Sequence, residues 1–128
     1  MYPTLNETSF QNTISDPSLK TILVFISASW CGNCKKQHKQ LAQITDNNSA
    51  EFNLYLIDPD ESRSLVKSLK VMVVPTILIY SHGILIKKFK GVKSASTILK
   101  HLKIIGAFDV AKARANAYKS IWERLFKN

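Results

Sequence analysis

The feature that most constrains this chain is a short apolar run that leads directly into two closely spaced cysteines. Residues 21–27 (TILVFIS) are rich in β-branched side chains, which is typical of a buried β-strand. Cys31 and Cys34 follow at once and are the only cysteines of the 128-residue chain. From residue 32 to about residue 46, apolar residues recur at helical spacing. The sequence therefore predicts a C-x-x-C pair at the junction of a strand and an amphipathic helix.

This position favours a redox role for the two sulfurs. The N-terminus of a helix presents unpaired N–H groups and a partial positive charge, which stabilise the thiolate of Cys31. The thiolate is the nucleophilic form of a cysteine. Because Cys34 lies three residues further on, one helical turn brings its sulfur back towards Cys31. The spacing therefore permits Cys31 to attack a disulfide and Cys34 to attack the resulting mixed disulfide.

Two other interpretations of the cysteine pair stay open on these observations. The cysteines are two ordinary core residues in the first, and part of a zinc site in the second. A structural zinc site needs about two further ligands. His38, His82 and His101 are the only histidines, and none belongs to a second spaced pair. We therefore expect no metal. The zinc interpretation stays open only for a metal that two copies of the chain share across a dimer.

The rest of the chain alternates between short apolar strands and helices. Strands are predicted at 52–57, 76–80 and 84–89, with a turn at 81–83 between the last two. Helices are predicted at 62–69 and at 94–103, the latter capped by Ser94. A further amphipathic helix is predicted at 109–126, capped by Asp109. This order implies an α/β fold, in which a mixed central sheet is flanked by helices on both faces.

The charge of the chain is unevenly distributed. The net charge is +9, but residues 1–62 contain four basic and seven acidic residues, whereas residues 63–128 contain fourteen basic and two acidic ones. Such asymmetry can attract acidic partners, although a solvated lysine-rich surface is the simpler explanation. We do not expect nucleic acid as a partner, because exposed aromatic residues are not interleaved with the basic ones.

The sequence also bears on location. Its first ten residues, MYPTLNETSF, lack the basic segment and apolar run of a signal peptide. No apolar segment approaches the roughly 18 residues that span a bilayer. We therefore expect a cytoplasmic protein.

At the cysteine motif the chain resembles the thioredoxin family, and the resemblance extends over residues 5–103. WCGNCK at 30–35 looks like the family's WCGPCK, and VPT at 74–76 looks like its cis-proline segment. Further similarities are the strand before the motif, His82-Gly83 at the hairpin turn, Gly91 after the last strand, and the opening segment 5–10. The resemblance implies a thioredoxin fold with an extra C-terminal helix. We accordingly expect a thioredoxin-like domain at 1–105 and an amphipathic helical extension at 106–128.

The resemblance implies a function, namely thiol–disulfide exchange on protein disulfides. Cys31 is the expected attacking residue, Cys34 the resolving residue, and an external reductase or reductant the source of electrons. No cofactor is expected beyond the Cys31–Cys34 disulfide. The alternatives are a disulfide oxidase or isomerase, and a non-enzymatic binding module with this fold. The substrate-binding residues that the resemblance implies are Trp30, Gly32, Asn33, Val74, Pro75, Gly91 and Val92.

Specific geometry at the proline segment follows from the same resemblance. Pro75 is expected to be cis and to face the disulfide. The main chain of Val74 is expected to pair with an extended substrate segment by strand addition.

Several positions depart from the family pattern. Phe25 stands where the family usually has a buried Asp, six residues before the first cysteine, and Asn33 replaces the proline of the motif. Leu54 or Leu56 stands where the family often has a Lys, and Lys39 holds the place of a helix-kinking proline. These changes predict a redox potential that differs from that of an ordinary thioredoxin, without fixing its direction.

The missing carboxylate affects the second chemical step. In the family it helps to accept the proton of the resolving thiol, so its absence predicts that Cys34 resolves more slowly. His38 is a candidate substitute base. It lies four residues after Cys34 on the same helix face, and helical side chains lean towards the N-terminus.

The segment beyond residue 105 has three possible uses. It is an additional helix packed on its own domain, a helix for a partner or a second copy, or a helix that lies on a membrane surface. We favour the first, with a monomeric protein. The membrane-surface helix would have one basic and one apolar face. The basic residues are Lys112, Arg114, Lys119, Arg124 and Lys127, and the apolar residues are Ile121, Trp122, Leu125 and Phe126.

Overall fold

A single mixed β-sheet organises the molecule. The structure is a computed structural model that describes residues 2–47 and 51–126. Its four strands are β1 (Thr21–Ile26), β2 (Asn53–Ile57), β3 (Thr76–Ser81) and β4 (Ile84–Lys90), arranged in the order β2-β1-β3-β4. β1 pairs in parallel with β2 and antiparallel with β3, and β3 pairs antiparallel with β4. The mixed sheet predicted from the element order is confirmed.

Six helices are found in the described part of the chain. They are α1 (Phe10–Ile14), α2 (Gly32–Asp46), α3 (Arg63–Ser68), α4 (Ala95–Gly106), α5 (Val110–Ala115) and α6 (Ile121–Phe126). The helices predicted at 32–46, 62–69 and 94–103 are confirmed to within three residues at each end. Ser94 caps α4, because its side chain accepts a hydrogen bond from the Thr97 N–H at 3.2 Å. The short helix α1 was not predicted.

The prediction of one continuous helix at 109–126 is wrong. Asp109 caps α5 as expected, accepting from the Lys112 N–H at 2.7 Å, but α5 ends at Ala115 and α6 begins only at Ile121. Between them, the Tyr118 N–H donates to the Leu85 carbonyl at 2.7 Å. β4 is an edge strand whose outer main-chain groups would otherwise lack partners in the sheet. The segment around Tyr118 therefore pairs with β4 and does not continue α5.

The side chains of the strands divide between two apolar clusters, one on each face of the sheet. All six residues of β1 are buried, and Ile22 to Ile26 alternate between the clusters because successive strand residues point to opposite faces. Phe25 lies in the cluster that also contains Cys31, Cys34 and residues of α2 and α4. The two cysteines therefore belong to the core that α2 and α4 form with the sheet.

The segment after α4 contributes to this same core. Phe108 is 8% exposed and Ala113 is fully buried, and both belong to the cluster of the cysteines. His82 Nε2 also donates to the Phe108 carbonyl at 2.9 Å. The domain boundary at residue 105 stays a prediction, but the chain continues to pack on the sheet beyond it.

The membrane-surface alternative for the C-terminal segment rests on residues that the structure describes only in part. Leu125 is 66% exposed. Lys127 lies outside the described residues, as do the side chains of Ile121, Trp122 and Phe126. In the described part of the chain, no helix has the length and apolar character needed to cross a bilayer.

We predict that Phe108→Ala lowers the free energy of unfolding by about 3 kcal/mol, because it removes a large side chain from a packed core. Urea denaturation of the purified chain measures this. Val110→Ala is the matched control, since Val110 is 42% exposed and surface truncations usually change stability by less than about 0.5 kcal/mol. Equal stability of the Phe108→Ala variant and the wild type would show that the segment does not pack on the domain.

Candidate active site

Cys31 and Cys34 lie where the sequence places them, between β1 and α2. Cys31 is the N-cap residue of α2, with extended φ and ψ of −92° and 114°. The Cys34 N–H donates to Cys31 Sγ at 3.1 Å, so an N–H of the first helical turn points at this sulfur. The two residues are joined by a disulfide bond, and their Cα atoms are 5.2 Å apart. One turn of helix thus holds both sulfurs within bonding distance.

The two sulfurs differ in their access to solvent. Cys31 is 7% exposed, whereas Cys34 is 1% exposed and packs among apolar residues that include Phe25 and Leu41. A substrate disulfide therefore reaches Cys31 more readily than Cys34. This order matches the attacking and resolving roles that the resemblance implies, although the roles themselves stay predictions.

Trp30 forms one exposed side of the site. Its ring is 69% exposed, and Nε1 donates to Asp60 Oδ2 at 2.8 Å, which fixes the orientation of the indole. A cleft of about 160 Å³ separates Trp30 from the segment before Pro75. Met72 and Val73 line this cleft and are 94% and 50% exposed. Asp60, Met72 and Val73 were not identified from the sequence, although the last two stand directly before the proline segment.

The proline segment lies next to the end of β4. The Val74–Pro75 peptide bond is cis, and Pro75 is buried. The Gly91 N–H donates to the Pro75 carbonyl at 2.9 Å. Gly91 has φ of +79°, a conformation that favours glycine. Within the described residues, no hydrogen bond involves the main-chain N–H or carbonyl of Val74, so both groups remain available to a bound peptide.

The remaining predicted binding residues lie in the first turn of α2 and directly after β4. Gly32 and Asn33 are exposed in the first turn of α2. Val92 is 37% exposed and follows Gly91 directly. The structure therefore brings all seven predicted binding residues to the cysteine end of the sheet, in three segments: 30–33, 74–75 and 91–92.

Gln37 is a buried residue that the sequence pattern assigns to the polar face of α2. It is fully buried, and both polar atoms of its side chain bond to the main chain of Lys93. A signal for its burial exists, because Gln37 is three residues after Cys34 and four before Leu41. The pattern nevertheless favours a solvent-facing position, since glutamine is mostly found on protein surfaces.

His38 packs against aromatic rings. Its ring lies 4.9 Å from that of Phe25 in an edge-to-face contact and stacks on that of Tyr2 at 5.9 Å. Burial lowers the pKa of His38 below its usual 6.5. In the described part of the chain its ring forms no hydrogen bond, in contrast to the rings of His82 and His101. Its role as a substitute base stays a hypothesis that no contact supports.

A metal site at the cysteines would need further ligands beside the two sulfurs. Among residues 2–47 and 51–126, no three His, Cys, Asp or Glu residues form a group that could hold a metal ion. The expectation that the protein needs no metal stays a prediction.

We predict that NMR titration places the pKa of His38 below 6.5, and that Tyr2→Ala moves it back towards that value by exposing the ring. Between the folded-state pKa and the unfolded value of about 6.5, the unfolded chain binds more protons than the folded one. The free energy of unfolding should therefore decline as pH falls through this range. His38→Phe should reduce this decline. A pKa at or above 6.5 would contradict the described packing.

Comparisons with known proteins agree with this geometry. The family model described as Thioredoxin matches residues 2–104. Thioredoxin of Mycobacterium tuberculosis is 27% identical over 85 residues, which cover 66% of this chain and 73% of the relative. The crystal structure of oxidised mitochondrial thioredoxin 3 from Saccharomyces cerevisiae is similar, with a TM-score of 0.71, 27% identity and coverage of 80% and 94%. A mutant thioredoxin from Halobacterium salinarum, 17% identical with a TM-score of 0.73, shares the fold over 84% of this chain and 92% of its own. The chain therefore belongs to the thioredoxin family.

Proposed function

We propose that this member of the thioredoxin family reduces protein disulfides, with Cys31 as the attacking residue. The observation that carries the proposal is the position of Cys31, at the N-cap of α2 and disulfide-bonded to the more deeply buried Cys34. The positive end of a helix and an N–H aimed at the sulfur both favour the thiolate. A nucleophile of this kind next to a partner thiol is the requirement for thiol–disulfide exchange.

The reaction starts from the reduced dithiol. The Cys31 thiolate attacks one substrate sulfur, the substrate S–S bond breaks, and the second substrate sulfur leaves as a thiolate. Cys34 then loses its proton and attacks Cys31 Sγ, which releases the first substrate sulfur and forms the Cys31–Cys34 disulfide. Two electrons pass to the substrate, and an external dithiol reductant or reductase returns them. No other cofactor takes part in this scheme.

Substrate binding uses the surface around Cys31. The unbonded main-chain groups of Val74 can pair with an extended peptide, as in strand addition. Exposed apolar side chains on both sides of this segment, Trp30, Val73 and Val92, supply area that is shielded from water on binding. An extended disulfide-containing segment of a protein substrate, bound by a monomer of this chain, fits these features.

The second step sets this protein apart from other family members. Phe25 is fully buried in the cluster of Cys34, at the position where the family usually has a carboxylate. An apolar environment disfavours the charged thiolate of Cys34, and no general base replaces the carboxylate in this scheme. The mixed disulfide is therefore expected to live longer than in an ordinary thioredoxin.

A disulfide isomerase or oxidase is the second candidate function. The same observation favours it, because a long-lived mixed disulfide gives a substrate time to rearrange its own disulfides. The redox potential separates the candidates. If the protein reduces disulfides, equilibration with glutathione should give a redox potential nearer to the roughly −270 mV of thioredoxin than to the roughly −180 mV of protein disulfide isomerase. A value at or above that of the isomerase would favour the second candidate.

We predict that Cys34→Ser forms a stable mixed disulfide with insulin through Cys31, since the attacking thiol remains and the resolving thiol is gone. Mass spectrometry under non-reducing conditions detects the adduct. Cys31→Ser is the matched control and should neither form the adduct nor reduce insulin. Insulin reduction by Cys31→Ser at the wild-type rate would refute the proposed function and favour a binding module.

A further inference from the structure

Two glutamines of α2 bind the junction between the β4–α4 loop and α4, Gln37 at Lys93 in the loop and Gln40 at Ala95, the first residue of α4. We call residues 91–94 the docking loop, because it carries Gly91 and Val92 of the proposed binding surface. We propose that Gln37 is a positioning residue, which holds the docking loop in the conformation that binds protein substrates. This inference rests on the proposed function, since it concerns the binding step of the same site.

The bonds of Gln37 match the two main-chain groups of one loop residue. Its Oε1 accepts from the Lys93 N–H at 2.7 Å, and its Nε2 donates to the Lys93 carbonyl at 3.0 Å. A side-chain amide offers an acceptor and a donor side by side, which matches this pair of main-chain groups. In the described part of the chain, these are the only hydrogen bonds of the Lys93 main chain. Gln40 adds a third bond to the region, accepting from the Ala95 N–H at 2.8 Å.

These bonds fix the loop relative to the reactive sulfurs. Gln37 follows Cys34 by three residues on the same helix, so the helix rigidly relates Lys93 to the cysteine pair. At its other end, the loop is joined to the proline segment by the bond from Gly91 N–H to the Pro75 carbonyl. Val92 lies between these two attachments and is the partly exposed residue that a substrate contacts.

The burial of Gln37 argues against a role in simple packing. An apolar side chain would fill this position without burying an amide, but it would leave the Lys93 N–H and carbonyl without these partners. The buried amide of Gln37 therefore serves chiefly to define where the docking loop lies. A loop that is ordered before binding does not lose its conformational entropy when the substrate arrives.

The expected consequence is a selective effect on large substrates. A protein substrate contacts the docking loop, whereas a small disulfide reaches Cys31 without touching Val92. When the loop populates other conformations, the apparent affinity for the protein falls with the fraction of competent loop. The chemical step at Cys31 is unaffected, so KM should change and kcat should not.

The test compares Gln37→Leu with Gln43→Leu, because Gln43 is an exposed glutamine on the same helix. Reduction of insulin is measured for both variants with dithiothreitol as the recycling reductant, and reduction of 5,5′-dithiobis(2-nitrobenzoate) by the pre-reduced variants is measured in a single turnover. Hydrogen exchange is followed at the Lys93 amide. In Gln37→Leu we expect the KM for insulin to rise about fivefold, as for loss of one or two neutral hydrogen bonds. We expect kcat, and the rate with the small disulfide, to stay within about twofold, and the Lys93 amide to exchange faster. Gln43→Leu should match the wild type in every measurement.

A second variant covers the case in which Gln37→Leu does not fold. Gln37→Met keeps the length of the side chain but offers neither bond to Lys93, so its KM for insulin should rise about as far as that of Gln37→Leu. An unchanged KM in the folded variants, or an equal loss with both substrates, would overturn the inference. So would an unchanged Lys93 exchange rate. Failure of the wild type to reduce either substrate would instead refute the proposed function, while Lys93 exchange would still test the positioning bonds.

Discussion

The structure depends at its centre on the contact between the start of a helix and the sulfur of Cys31. Cys31 ends the segment that follows β1 and caps α2, and the Cys34 N–H points at its sulfur. Because the same turn of helix carries Cys34, one local arrangement both favours ionisation of the first sulfur and places the second within bonding distance. The sheet and the flanking helices fix this turn, since both cysteines are packed into the core of the domain.

The interior behind the cysteines is unusually apolar for a site that moves protons. Phe25 is buried beside Cys34, and His38 is held against Phe25 and Tyr2, where burial lowers its pKa. The lowered pKa favours the neutral form of this half-buried imidazole beside Phe25. Among the residues that the structure describes, no buried carboxylate is present to receive the proton of Cys34.

Most of the fold could be predicted from the sequence, because its signals are local. The run of residues 21–27, the helical spacing after Cys34 and the capping residues Ser94 and Asp109 each act over a few positions, and an element begins at or next to each position where they predict one. The break between α5 and α6 depends on a bond from Tyr118 to Leu85, which are 33 residues apart in sequence. No local pattern contains such a partner, so helical periodicity alone predicts a helix that runs through the break.

The residues of the site likewise divide into those marked by local motifs and those whose position depends on distant contacts. The cysteine pair and the proline segment carry recognisable motifs, whereas the burial of Gln37 depends on the position of Lys93 in a distant loop. The exposed apolar residues Met72 and Val73 were missed for a related reason, since apolar residues next to a strand are ordinarily assigned to the core. Sequence reasoning thus predicted the cysteine pair and seven residues around it, and it did not predict the contributions of Gln37, Met72 and Val73.

The most direct test of the account is the rate at which Cys31 of the fully reduced protein is alkylated by iodoacetamide as a function of pH. The midpoint of this dependence gives the pKa of the Cys31 thiol. We expect a value well below the roughly 8.5 of a free cysteine, because the N-terminus of α2 stabilises the thiolate. A midpoint at or above that of free cysteine would contradict this role of the helix.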